Sequence, residues 1–136
     1  MECIFCAIVE GKIPATKVYE DEHVFTFMDI APANPGHLVV IPKQHYRNIF
    51  DIPTEVASKI MEAAIPLATA IREALNPDGL NLIQNNEPAG FQTVFHFHLH
   101  LIPRWETDSL QPLWQPRSEG NLERIGNIAT KIREAL

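Results

Sequence analysis

Apolar residues change their spacing several times along the chain, and each change marks an element. Residues 17–29 (KVYEDEHVFTFMD) hold two short strand-like pieces around the turn-prone Glu20-Asp21-Glu22. NPGHLVVIP, ending at Pro42, is a continuous apolar run bracketed by Pro35-Gly36 and Pro42, which predicts a buried strand. From Thr54 to Leu75 the apolar positions Val56, Ile60, Ala63, Leu67, Ile71 and Leu75 recur every three or four residues, the spacing of one long helix. Pro53 and Thr54 suit its start, Asn76-Pro77 its end, and Pro66 is expected to bend it. LNLIQN (80–85) predicts a further strand, and NEPAG turns the chain into FHFHLHLIP (95–103), where histidines alternate with apolar residues. After Trp105 an irregular stretch with Pro112 and Pro116 leads to a last helix over 121–136, with Leu122, Ile125, Ile128, Ala129 and Ile132 on one side. Adjacent strands with one long intervening helix predict an α+β fold, an antiparallel sheet with that helix and a C-terminal helix, in a single domain over 1–136.

Side chains alternate faces along a strand, so His96, His98 and His100 are expected on one side. Phe95, Phe97, Leu99 and Leu101 would then enter a core on the other. Same-face neighbours lie about 6.6 Å apart along a strand, close enough to share one small anionic or metallic ligand. Two chemistries fit the row. Alternating histidines serve as zinc ligands with one position open. They also form phosphate sites in which one imidazole is the nucleophile and its neighbours are donors. Asn85, Gln92 and Thr93 add amide and hydroxyl groups upstream, and Asp29 and His37 add an acid and a fourth imidazole. Neutral donors of this kind suit a phosphate ester carrying a sugar, whereas a hydrolytic zinc site more often has a carboxylate base beside its ligands.

Composition narrows the setting. At 136 residues, 46% hydrophobic and 21% charged, the chain is long enough for a real core. Its formal charge of −6 argues against nonspecific nucleic-acid binding and leaves a small phosphorylated ligand to be held by local donors. The opening MECIFC has neither a basic start nor an apolar run of signal-peptide or membrane-spanning length, so a cytoplasmic protein with no membrane partner is expected. Cys3 and Cys6 are the two cysteines, too close to staple the fold. Their two-residue gap fits a redox pair or half a zinc site, and this N-terminus lacks the strand-to-helix setting of the redox pair. Two more ligands would complete a tetrahedron, and His45 and His96 are the best candidates for a structural zinc. Two free buried thiols are the plainer alternative.

The runs GHLVVIPKQHY and NN-x-x-AGFQTVFHFHLHLIPR, with CIFC near the start, resemble the histidine triad (HIT) family over about residues 3–105, leaving 106–136 as a C-terminal extension. The resemblance implies a homodimer with its sheet extended across a two-fold axis. It also implies a hydrolase or nucleotidyl transferase acting at the α-phosphate of nucleoside phosphoramidates or dinucleoside polyphosphates. His98 matches the nucleophile that forms a nucleotidyl-histidine, His96 and His100 the flanking members, and His37 the fourth active-site histidine. Donation to the phosphate oxygens would fall to His100, Gln92 and Thr93, with Asn85 nearby and no metal required for the chemical step. Asp29 would hold the ribose of an AMP-like purine nucleotide, and Ile4, Phe5, Phe27 and Ile30 would line the base pocket; without the resemblance those four apolar residues read first as ordinary core, and Asp29 equally as a turn residue. Bacterial members of this pattern look like zinc carriers at Cys3, Cys6, His45 and His96. The chain departs from the family where Phe91 stands before Gln92 in place of glycine, and where Glu87-Pro88 fills a loop usually richer in glycine. The alternative of another class is a non-catalytic nucleotide sensor or interaction protein, and a metal-dependent hydrolase comes third.

Overall fold

The structure, a computed structural model, describes residues 2–112, 114 and 120–136. In chain order its elements are α1 (Ile4–Val9), β1 (Lys17–Glu20), β2 (Val24–Met28), β3 (Leu38–Pro42), α2 (Thr54–Leu75), β4 (Gly79–Ile83), β5 (Leu99–Arg104) and α3 (Leu122–Ala135). The strands form one antiparallel sheet in the order β1-β2-β3-β5-β4, which confirms the expected α+β class. Among the described residues no helix is long and apolar enough to cross a membrane.

Period-two alternation divides the sheet's side chains between two cores. Val24, Leu38, Val40, Leu99 and Leu101 pack against Ile60, Ala63, Ala64, Leu67 and Ile71 of α2. Phe25, Phe27, Val39 and Ile41 face the other way and pack with Ile8, with Phe5 and Val9 of α1 against them. In the β3–β5 ladder Leu38 pairs with Leu101, Val39 with His100 and Val40 with Leu99. His100 therefore projects to the α1 face while its neighbours fill the α2 core.

Several expectations need correction. The histidine strand begins at Leu99 and not at Phe95: the β3–β5 pairing stops at Val40–Leu99 although β3 runs on to Pro42, whose carbonyl accepts from the His96 ring instead. That stretch is held by the Phe97 N–H donating to the Tyr46 carbonyl at 2.7 Å. Phe97, Leu99 and Leu101 are buried as expected, but Phe95 stays exposed with the Arg47 guanidinium 4.3 Å over its ring. β4 ends at Ile83 and not at residue 85, since the Gln84 and Asn86 side-chain amides bond one another at 2.7 Å. α2, by contrast, runs from Thr54 to Leu75 as expected, with Pro66 inside it. α1 was not expected. The Cys3 sulfur accepts from the Cys6 N–H at 3.4 Å and caps it. α3 begins on an Asn121 cap, yet none of its residues is buried, so its apolar side faces solvent. Pro116 lies outside the described residues.

Gly36 sets the entry to β3. Its φ of +89° lies in the left-handed region, and a Cβ there would meet Leu75 and Pro103 side chains. Gly36→Ala is expected to lower stability by about 1–3 kcal/mol in urea unfolding. Gly11→Ala, at φ +78° but facing open space, should cost less.

Candidate functional site

His96, His98, His100 and His37 line one face of the sheet, with the Phe5 ring edge-on to His98 at 5.1 Å and to His96 at 5.8 Å. Burial pushes all four imidazoles below the ordinary histidine range, His96 and His100 to about 4, so each is neutral at pH 7. A neutral imidazole carries one proton, and its partners assign which nitrogen holds it. His98 Nδ1–H donates to the His96 carbonyl at 2.7 Å, which leaves the Nε2 lone pair free. His96 is held the other way round. Its Nε2–H donates to the Pro42 carbonyl at 2.8 Å, leaving the Nδ1 lone pair to face the cysteines.

His37 and His100 form a relay. The Ala33 N–H donates to His37 Nδ1 at 3.0 Å, so His37 carries its proton on Nε2. That Nε2–H meets His100 Nδ1 at 2.8 Å, and His100 is left with its proton on Nε2 as a donor. Asp29 Oδ2 lies 3.5 Å from His37 Nε2. Because burial keeps His37 uncharged, this is a carboxylate–dipole contact and not an ion pair. Asp29 is itself fixed, its Oδ1 accepting from the Ala31 N–H at 2.8 Å.

A second cluster adjoins the row. His96 Nδ1 lies 3.4 Å from Cys3 Sγ, 3.6 Å from Cys6 Sγ and 3.2 Å from His45 Nδ1, and Cys6 Sγ is 3.5 Å from His45 Nδ1. Tetrahedral zinc, with Zn–N near 2.1 Å and Zn–S near 2.3 Å, separates its ligands by roughly 3.4–3.8 Å. The donor set and its spacing fit. Two imidazole nitrogens and two sulfurs with lone pairs turned inward repel unless a proton or cation is shared among them. Burial and then the neighbouring Cys3 push the Cys6 thiol up to about 11, so a metal ion entering here would displace protons. The Pro42 carbonyl orients the His96 ring in the manner of an outer partner behind a metal-binding histidine.

Known proteins resemble this chain in both sequence and fold. The HIT domain model matches residues 10–107. The chain belongs to the HIT domain family. A HIT family protein from Bacillus anthracis superposes with a TM-score of 0.91 at 46% identity, covering 98% of this chain and 96% of that one. Adenosine 5'-monophosphoramidase HNT1 of Saccharomyces cerevisiae is 35% identical over 130 residues, 96% of this chain and 80% of its own. A Zn-bound histidine triad family protein from Mycobacterium smegmatis superposes with a TM-score of 0.77 at 38% identity, covering 100% of this chain and 99% of that one.

Not every expected residue of the HIT site reaches the imidazoles. Gln92 does not offer its amide to a ligand. It is buried with all its hydrogen bonds committed, Oε1 accepting from Asn48 Nδ2 (3.1 Å) and the Glu87 N–H (2.8 Å), and Nε2 donating to the Arg47 (2.7 Å) and Val94 (3.1 Å) carbonyls. Thr93 is exposed, and Asn85 is half-buried with Nδ2 3.4 Å from the Phe91 carbonyl. Phe27 lies in the second core behind Phe5, with ring centres 5.4 Å apart, and so backs the surface instead of lining it. Ile30 is 93% exposed and Ile4 51%, with Ile4 beside Cys3 and Cys6 on the rim of a separate cleft. Sequence reasoning missed Arg47, Asn48 and Glu87. The Arg47 guanidinium grips Glu87 through Nε at 2.8 Å and Nη2 at 2.7 Å, while Asn48 Nδ2 donates to it at 2.6 Å. Their available signal was the Asn48…Asp51 turn, in which Asp51 accepts from the Asn48 and Arg47 N–H groups.

Metal analysis of protein purified without chelator is expected to give about one zinc per chain, lost in Cys3→Ser and Cys6→Ser. Those variants should unfold at lower temperature. Zinc-free wild-type protein of undiminished stability would end the metal assignment.

Proposed function

We propose that this protein hydrolyses nucleoside phosphoramidates or dinucleoside polyphosphates at the α-phosphate through a nucleotidyl-His98 intermediate. The observation that carries the reading is the His98 tautomer. Its buried, neutral ring keeps the proton on Nδ1 against the His96 carbonyl, so Nε2 needs no deprotonation to attack. In the proposed step the Nε2 lone pair forms the N–P bond as the bond to the leaving group breaks; a departing amine takes up a proton from solvent, and a departing phosphate leaves as the anion. The imidazolium so formed is stabilised by the His96 carbonyl, whose hydrogen bond strengthens as charge develops. Water then attacks phosphorus, a proton passes to solvent and His98 leaves neutral.

His100 would donate its Nε2–H to a non-bridging phosphoryl oxygen, held in that tautomer by His37 and Ala33. Exposed Thr93 and half-buried Asn85 would supply further donors. Asp29 would accept from the ribose hydroxyls, and the purine would lie against Phe5 and Ile30. HNT1, as an adenosine monophosphoramidase, supports an AMP-like ligand. Zinc held by Cys3, Cys6, His45 and His96 would act structurally, pinning the N-terminus and the His45 loop to His96. Catalysis by His96 itself is thereby restricted to its carbonyl, a positioning role.

A homodimer is part of the proposal. β4 is an edge of the sheet, with Leu82 exposed on it, and α2 exposes Met61 and Ile65. Pairing of such edges across a two-fold axis would cover both. A cytoplasmic setting, which keeps the thiols reduced, suits the same reading.

His98→Ala should abolish release of amine from an adenosine phosphoramidate while AMP affinity stays within about tenfold, because ground-state contacts come from other residues. Retained kcat/KM in His98→Ala would remove His98 from the chemistry. Wild-type protein that binds AMP but releases no amine would support the sensor reading instead. Sedimentation at micromolar concentration is expected to give twice the chain mass, and a monomer at every concentration would refute the dimer.

A further inference from the structure

Two residues of the loop ahead of the triad are held in conformations that suit glycine. Glu87 has φ +66°, ψ +161°, and Phe91 has φ +67°, ψ +25°, on either side of the short 3-10 turn Pro88–Gly90. The other described non-glycine residue at positive φ is Asn76, at the C-cap of α2, where asparagine is at home. Gly90 stands next to Phe91, yet the left-handed conformation falls on the phenylalanine. Five hydrogen bonds fix this arrangement. Arg47 and Asn48 grip the Glu87 carboxylate, the Glu87 N–H donates to Gln92 Oε1, and the Phe91 N–H donates to the Pro88 carbonyl at 3.0 Å. Meanwhile the Phe91 side chain is 82% exposed. The residue is strained and its apolar ring is left in water, with little packing gained in return among the described residues. Strain that the surroundings over-determine points to a use.

Its place on the loop indicates that use. Phe91 precedes Gln92 and Thr93, its carbonyl lies 3.4 Å from Asn85 Nδ2, and the chain runs from there into His96 and His98. We infer that Phe91 is a specificity residue, a rigidly presented ring that stacks on a flat apolar leaving group and favours phosphoramidates of arylalkyl amines over that of ammonia. The inference rests on the hydrolase reading above. An aromatic ring on a preorganised loop gains contact with such a group without paying to order itself.

The test compares adenosine phosphoramidates of benzylamine and of ammonia, amines of similar basicity, in wild-type protein, Phe91→Ala, Phe91→Gly and Phe91→Trp. The kcat/KM ratio of benzylamine to ammonia substrate is expected to fall about tenfold in both Ala and Gly, mainly through KM, and to persist in Trp. A ratio within about twofold of wild type in Phe91→Ala overturns the inference. So does a change confined to Phe91→Gly, which would implicate the backbone, or a rise in the ratio, which would make the ring an obstruction. Wild-type protein that turns over neither substrate overturns the phosphoramidate branch of the hydrolase reading, and with it the role of Phe91, whereas wild-type turnover with an unmoved ratio overturns only the role of Phe91.

Discussion

The antiparallel register of β3 against β5 is the constraint on which core and site both depend. Val39 opposite His100 puts Leu99 and Leu101 into the α2 core and His100 onto the α1 face, where it reaches His37. A slip of one residue would exchange the two sets, burying an imidazole among Ile60, Ala64 and Ile71 and exposing two leucines. The hydrophobic energy of the larger core therefore selects the geometry of the histidine row. No separate device is needed to aim His100, only the diagonal neighbour that a strand register provides.

Beyond the end of that ladder the row is positioned by other means. His98 and His96 precede β5, and each ring is oriented by a carbonyl, of His96 and Pro42 respectively. His96 thus takes part in two arrangements at once, its ring in the Cys3–Cys6–His45 cluster and its carbonyl against His98. Two residues beyond His45, the Arg47–Asn48 pair holds Glu87, and the Gln92 amide bonds back to Arg47. One loop therefore connects the Cys3–Cys6–His45–His96 cluster to the loop that carries Phe91. Displacing His45 would be felt at both ends of the candidate site.

What the sequence reveals of this is what local periodicity encodes. The spacing of α2 and the alternation around His96, His98 and His100 are each contained in a short window, and both appear in the fold. Alternation describes an extended chain, however, and not its hydrogen-bond partners: the Phe97 N–H goes to the Tyr46 carbonyl and the Pro42 carbonyl to the His96 ring, so β5 begins at Leu99 and Phe95 is left outside the core. α1 spans 6 residues, too few to show a helical repeat. Residue type likewise reports the capacity of a polar group but not whether it is already used. Gln92 and Asn48 look like free amides in sequence and are instead mutual partners in a buried hub. The groups legible as chemistry, Cys3–Cys6–His45–His96 and the row of His96, His98 and His100, are those whose residue types are costly to gather for any other reason.

Neutrality of the imidazoles resolves an apparent conflict in this acidic protein. A cationic histidine would attract a phosphate more strongly, but protonation at Nε2 of His98 would remove the lone pair that the proposed attack requires. Burial is the dominant influence on His37, His96, His98 and His100, and it holds all four below their ordinary range. In the proposed function the site would engage an anion through oriented N–H groups and not through net charge, so a formal charge of −6 on the whole chain is tolerable. Directed dipoles have a further advantage here. Each neutral ring must place its one proton on one nitrogen, and the Ala33, His96 and Pro42 backbone groups make that choice differently for His37, His98 and His96. Identical side chains thereby become a relay, a lone-pair donor at Nε2 and a lone-pair donor at Nδ1, distinguished by the backbone atom each one meets.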